Sequence, residues 1–413
     1  MGTAIGRQEF MIQHAVLYCE SGSDPRTISD GEVDDDGKPR RTGIVWTASA
    51  HIITAIIGSG VLSLAWGMAQ LGWIAGIGIL LTFSVITYYT SSLLADCYRF
   101  PKSASGKRNY TYMAAVNAYL GENMRKVCGL FQFLILGGAT IGYTITASVS
   151  MVAIRKSNCF HKRGHGAPCK FSNNKYMIGL GITEILVSQI PNFHKLSWLS
   201  IVAAIMSFAY SSIGLGLAFT RVISGQGHRT TLTGVEVGVD VTAAEKIWTI
   251  FRAIGDMAFA CAYSVILIEI QVLAQPIFST FESWASMRWP NSEFVNTEYP
   301  LRIGSKKFNF SINFLRLTGR TTFVVVATLL AMALPFFNEI LALLGAISYG
   351  PMTVYFPVEM HIAQNKIKRL SIRGLALQLL NLVCFLVSIA AASGAIQGMG
   401  HGLRASKPFQ YKE

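Results

Sequence analysis

A long, almost uncharged stretch near the start of the chain most limits what this sequence can fold into. The 57 residues between Arg41 and Arg99 contain a single formal charge, that of Asp96. A water-soluble domain cannot bury so long an apolar segment, because even core helices keep a polar face. Only 14% of all 413 residues are charged, against about 25% in an average soluble protein. The sequence therefore predicts a polytopic membrane protein and excludes soluble enzymes, secreted disulfide scaffolds and disordered chains.

Nine apolar stretches have the length and composition of membrane spans, since a bilayer core of about 30 Å needs roughly 20 helical residues. They cover residues 44–69, 71–96, 127–154, 176–191, 196–220, 247–270, 321–338, 340–360 and 374–400. Gly72 and Trp73 predict a tight return between the first two. We expect an all-α membrane fold with this order: a cytosolic tail (1–43), six spans (44–270), a cytosolic loop (271–320), three spans (321–403) and a C-terminal tail (404–413).

The basic residues lie in short runs between the apolar stretches. With the N-terminus in the cytosol, 22 of the 35 Lys and Arg residues fall on the cytosolic side, which supports that orientation. A net charge of +13 spread in this way does not predict a nucleic-acid partner. The seven cysteines show no metal-binding spacing, so no metal site is predicted. Cys159 and Cys169 share an outer loop, where an oxidising compartment favours a disulfide over two free thiols.

The first span contains two glycines around a serine, at Gly58, Ser59 and Gly60. Glycine weakens a helix, and a break at membrane depth persists only where it lines a cavity. One interpretation is an opened helix whose free N–H groups bind a carboxylate. The other is close packing against a second helix. His51 lies two turns earlier and titrates near neutrality, so it is either a proton relay or a packing residue.

The sixth span carries ionisable residues, which at membrane depth indicate function by default. Asp256 follows Gly255 and lies deep in the span. It is either a proton carrier, because burial favours the protonated form of a carboxyl group, or a structural group that caps a broken helix or pairs with Arg252. Tyr263, two turns further on, either lines the same cavity or packs. Glu184 in the fourth span is interpreted as a structural pairing residue.

Two interrupted helices, one early and one in the middle of the chain, are typical of inverted-repeat secondary transporters, whose substrate site lies where the breaks face each other. The sequence contains no Walker A motif, nucleophile elbow or HExxH pattern. An ATP-driven pump and an intramembrane enzyme are therefore not predicted.

Several segments closely resemble the plant amino acid permeases of the amino acid/auxin permease family, within the amino acid–polyamine–organocation superfamily. They are residues 41–66, 106–113, 157–162, 188–191, 255–260, 268–271 and 355–360. The resemblance implies a leucine-transporter-like inverted-repeat fold of eleven helices and the import of neutral, acidic or a broad range of amino acids together with protons across the plasma membrane. It implies no cofactor apart from the coupling proton, and the partners are the amino acid and the lipid bilayer.

The resemblance also implies roles for individual residues. His51 and Asp256 are the expected proton-coupling residues. Backbone groups in the first and sixth spans are expected to hold the carboxylate and ammonium of the substrate; these residues are Ile57, Gly58, Ser59, Gly60, Val61, Asp256, Ala258, Phe259 and Ala260. Tyr263 is added to the expected substrate site from its position two turns beyond Asp256.

The chain departs from the family pattern after the sixth span. Gln271 runs directly into a stretch that resembles the tail of the family's eighth span. We therefore expect nine spans instead of eleven, with the seventh and most of the eighth missing. Losing two spans keeps every later loop on its side of the membrane. The alternative function is a truncated, non-transporting protein that acts as a sensor or regulatory partner.

Overall fold

The computed structural model describes most of the chain from residue 59 onward. The described residues are Ser49, Ile53, Ile57, 59–101, 106–109, 111–164, 166, 168–189, 197–225, 231–238, 241–263, 275–302, 309–334 and 336–405.

Helices form nearly all of the described structure. In chain order they are α1 (Ser59–Asp96), α2 (Tyr112–Leu120), α3 (Glu122–Arg163), α4 (Asn173–Ser188), α5 (Ser197–Ile223), α6 (Ala243–Cys261), α7 (Gln275–Arg288), α8 (Glu293–Asn296), α9 (Phe314–Ala333), α10 (Phe337–Ile347), α11 (Phe356–Gln364) and α12 (Ile372–Ala405). A π-helical segment, Ser348–Tyr355, joins α10 to α11.

Two short antiparallel hairpins complete the described elements. Strand β1 (Arg99–Phe100) pairs with β2 (Lys107–Arg108), with Arg99 opposite Arg108. Strand β3 (Glu298–Arg302) pairs with β4 (Asn309–Asn313), with Glu298 opposite Asn313.

Polar caps fix where several helices begin. The Thr242 hydroxyl accepts a hydrogen bond from the Glu245 backbone N–H, and the Glu245 carboxylate accepts one from the Thr242 backbone N–H. This reciprocal pair satisfies two N–H groups that a helix start leaves without partners. Hydrogen bonds from the Thr242 backbone and hydroxyl also hold the pKa of Glu245 below its usual range. Asn313 caps α9 in a similar way through the Arg316 N–H.

The continuous segment Phe337–Gln364 forms the centre of the molecule. It comprises α10, the π-helical segment and α11. Within its most apolar stretch of 18 residues, 78% is buried. α6 packs against α1, α10 and α12 around this centre. One buried cluster joins Met257 and Cys261 of α6 to Tyr349 of the π-helical segment. The site described below lies in this contact between α6 and the central segment.

Six described helical segments have the length and composition to cross a membrane. One of them, Ser63–Asp96, covers the end of the first predicted span and all of the second, and Gly72 divides it with a non-helical conformation (φ 77°, ψ 176°). The predicted boundary at Gly72 is thus confirmed. Two further predicted spans coincide with α4 and α6, which are not among these six segments. α4 is too short, with 16 residues, and α6 contains four ionisable residues.

The segment predicted as the cytosolic loop 271–320 contains regular structure. It includes α7, α8 and the β3–β4 hairpin. Glu282 of α7 accepts hydrogen bonds from Arg316 and Arg320 of α9, and Arg320 also donates to the Ser188 carbonyl at the end of α4. These bonds attach α7 to α9, and α9 to the end of α4.

Candidate functional site

Asp256 is a fully buried carboxyl group without a hydrogen-bond partner. It lies in the second half of α6 and is 0% exposed. Neither of its two carboxylate oxygens has a hydrogen-bond partner. Because burying an unpaired polar group is costly, and a charge far more so, such a carboxyl group is a place for a proton or a cation.

Arg252, one helical turn before Asp256, pairs with a different carboxylate. Its Nη1 atom donates to Oε1 of Glu339 at 2.7 Å. The guanidinium carbon also lies 4.3 Å from the centre of the Trp66 ring on α1, a cation–π contact. The predicted alternative in which Asp256 pairs with Arg252 is therefore wrong, because Glu339 at the start of α10 takes the guanidinium.

The break expected in the sixth span is not seen at Asp256–Ala260, whose backbone N–H groups are therefore not free. α6 is helical from Ala243 to Cys261, so those N–H groups lie within its hydrogen-bonded ladder. A Cβ on Gly255 would lie 2.6 Å from the Ala342 carbonyl oxygen, and one on Gly345 would lie 2.0 Å from the Gly255 carbonyl oxygen. Gly255 thus brings the backbones of α6 and α10 together and does not break the helix.

α6 ends close to Asp256. The Ala262 N–H bonds to the Phe259 carbonyl, which closes the last turn. A helix end leaves carbonyl groups without partners within the helix, and carbonyl oxygens such as those of Ala258 and Ala260 in this last turn are acceptors that suit an ammonium. Tyr263 lies just beyond the helix end and is half-buried.

The first-span motif is described only in part. Ile57, Ser59, Gly60 and Val61 are helical, so no break is seen at these four residues. The Tyr210 hydroxyl of α5 donates to the Ile57 carbonyl. His51 and Gly58 lie outside the described residues, and the predictions for them are untested.

Two predictions concern residues that lie away from Asp256, and the structure describes both. Cys159 and Cys169 form the predicted disulfide, with their Cα atoms 6.0 Å apart. Glu184 is partly buried, and the Thr144 hydroxyl lies 3.5 Å from its Oε1 atom. Both features lie on α3, α4 and the segment between them, away from Asp256.

Comparisons with known proteins show which family this chain belongs to. The profile of the family described as transmembrane amino acid transporter protein matches residues 41–274 and 271–400. This chain belongs to that family. It is 48% identical to amino acid permease 6 of Arabidopsis thaliana, over 91% of this chain and 94% of the relative. It is 47% identical to amino acid permease 8 of the same plant, over 94% and 98%. Transporters of this family are not enzymes.

The alignments with the amino acid permeases are longer than the chain itself. They run over 455 positions for permease 6 and 469 for permease 8, against 413 residues here. The relatives therefore contain internal segments without a counterpart in this chain. The two blocks of the family match meet at residues 271–274, which is where the sequence predicts the missing spans.

Sequence reasoning missed Glu339 and Trp66 as parts of the site. Glu339 falls between the predicted spans 321–338 and 340–360, where no functional residue was predicted. A carboxylate at the start of an apolar helix was the sequence feature that could have indicated its role. Nothing in the sequence indicates that Trp66 lies over Arg252, since this contact depends on how α1 and α6 pack.

Proposed function

We propose that this chain imports amino acids across the plasma membrane together with protons, with its N-terminus in the cytosol. The observation that carries the proposal is the fully buried carboxyl group of Asp256 without a hydrogen-bond partner. In a chain nearly half identical to proteins named amino acid permeases, such a group can alternately hold a proton and the ammonium of an amino acid.

The geometry supports a division of roles within the site. The Asp256 carboxylate and the carbonyl groups at the end of α6 are acceptors, which suit the substrate's ammonium. The first-span residues Ile57, Gly58, Ser59, Gly60 and Val61 would supply donors to its carboxylate, and Phe259 and Tyr263 would border its side chain. His51 would be the second proton-coupling residue. No cofactor beyond the proton gradient enters this mechanism.

The test is uptake of a radiolabelled neutral amino acid in cells that lack their own permeases, at acidic and at neutral outside pH. We expect acid-stimulated uptake by the unaltered chain. Asp256→Asn keeps the shape but cannot exchange a proton, so we expect a loss of acid-stimulated uptake of at least about 100-fold, the lower end of what a positioned proton-transfer group contributes.

Surface biotinylation normalises each uptake rate to the amount of protein in the plasma membrane. Glu122→Gln serves as the matched carboxylate control, because Glu122 is exposed and pairs with Arg125 on its own helix. Uptake by Asp256→Asn with an unchanged pH dependence would refute the role of Asp256. Surface expression of the unaltered chain without any uptake would contradict the transport function itself.

A further inference from the structure

Three ionisable side chains, Arg252, Asp256 and Glu339, lie where α6, α10 and α1 pack. Only two of them form an ion pair. Arg252 and Asp256 are four residues apart on α6, the spacing at which opposite charges attract each other along a helix. The guanidinium nevertheless lies against Glu339, and Asp256 has no hydrogen-bond partner. Of the two carboxylates, the one that is 0% exposed is thus the one without a cation.

The guanidinium of Arg252 is held in place by three elements. Glu339 binds Nη1 at 2.7 Å, and the Trp66 ring lies over the guanidinium carbon. α12 closes the remaining side at Gly398, where a Cβ would lie 2.9 Å from Nη1 and 3.1 Å from Cγ of Glu339. The Nε atom of Arg252 is buried without a hydrogen-bond partner. Arg252 therefore has an unused donor one turn away from the unpaired carboxyl group.

We propose that Glu339 is a positioning residue for proton coupling: it holds Arg252 away from Asp256. Asp256 then depends on a proton, or on the ammonium of the substrate, to balance its charge. This inference rests on the proposed function, since it specifies how the same site is prepared for its two ligands.

Few other groups among the described residues lie where they could set the protonation of Asp256. The charges that act on it are those of Arg252 and Glu339. α1 and α12 present Trp66, Gly394 and Gly398 beside Arg252, none of which titrates. The same buried cluster contains the thiols of Cys261 and Cys384 and the phenol of Tyr349, which stay neutral at the acidic pH of the measurement. Among the described residues, Arg252 and Glu339 are therefore the charged groups that act on Asp256, in addition to its burial.

Glu339→Gln tests the proposal, because it removes the charge that holds Arg252 and keeps the size of the side chain. Arg252 is then free to pair with Asp256, and a cationic partner keeps a carboxyl group ionised down to a pH lower by about 1 to 3 units. We expect the outside pH of half-maximal uptake to fall by at least about one unit. We expect the KM for the amino acid to rise as well, since the guanidinium competes with the substrate's ammonium.

A second readout does not need transport. In the purified full chain, infrared titration follows the carboxylic acid C=O band that disappears in Asp256→Asn. The midpoint is the pH at which this band has lost half of its intensity. We expect the midpoint in Glu339→Gln to lie at least about one pH unit below that of the unaltered chain. Glu339→Asp, which restores the anion, should move the midpoint back.

The double variant Arg252→Gln with Glu339→Gln separates positioning from a merely structural role. It removes the competing cation as well, so we expect its midpoint to lie above that of the single variant Glu339→Gln. An unchanged midpoint in Glu339→Gln, or no band that depends on Asp256, overturns the proposal. Absence of uptake by the unaltered chain, with a band that titrates and shifts as described, contradicts the proposed transport and not the role of Glu339.

Discussion

At the scale of single residues, the buried carboxylates of this protein differ in how they are satisfied. Glu359 is 6% exposed and accepts hydrogen bonds from Arg369 at 3.0 Å, Gln378 at 2.7 Å and Asn381 at 3.4 Å. Glu359→Ala leaves these donors without their acceptor, so we expect a loss of about 3 kcal/mol in stability. Thermal unfolding of the purified chain in detergent measures it.

Arg369→Ala is the matched control for Glu359→Ala. The Arg369 side chain is 71% exposed, and exposed ion pairs contribute about 1 kcal/mol or less. Equal losses from the two variants would show that the amides of Gln378 and Asn381 do not matter for stability.

At the scale of elements, the contact between α6 and α10 requires glycine on both helices. A Cβ on Gly345 would lie 2.0 Å from the Gly255 carbonyl oxygen and 2.7 Å from the Phe259 N atom, both backbone atoms that cannot move aside. We expect Gly345→Ala to separate α6 from α10 and to abolish uptake and most of the folded yield. Size-exclusion chromatography after detergent extraction, with uptake in cells, checks this.

Gly137→Ala on α3 is the control, since nothing lies within 4 Å of the added Cβ. Alanine favours a helix over glycine by up to about 1 kcal/mol, so this variant should fold at least as well as the unaltered chain. Normal folding of Gly345→Ala would contradict the close contact of the two helices.

At the scale of the whole molecule, the disulfide reports the orientation in the membrane. With the N-terminus in the cytosol, the segment that holds Cys159 and Cys169 faces outward. We expect a membrane-impermeant maleimide to label intact cells only after a membrane-impermeant reductant has acted. The other cysteines of the described residues lie outside the disulfide and are buried, so they should not react; they are Cys97, Cys128, Cys261 and Cys384.

The double variant Cys159→Ser with Cys169→Ser provides the control and should show no labelling that depends on reduction. If the disulfide cysteines of the unaltered chain are labelled only after the cells are permeabilised, the orientation is opposite to the proposed one.

Much of the helical layout could be predicted from the sequence, because hydropathy and length act locally. The predicted boundary at Gly72 coincides with a non-helical residue, and helices lie at each predicted span. The helical conformation of Asp256–Ala260 could not be predicted, since Gly255 is equally compatible with a break and with close packing. The neighbouring backbone at Ala342 decides between them.

By itself, the sequence determined that this protein lies in a membrane, where its apolar helices run, and that Asp256 is an ionisable group at membrane depth. These conclusions follow from the composition of short segments. Only the tertiary structure decided which charge pairs with which, because Arg252 and Glu339 are 87 positions apart and meet only through the packing of α6 against α10. That packing leaves Asp256 without a hydrogen-bond partner, since the one guanidinium a turn away is already bound.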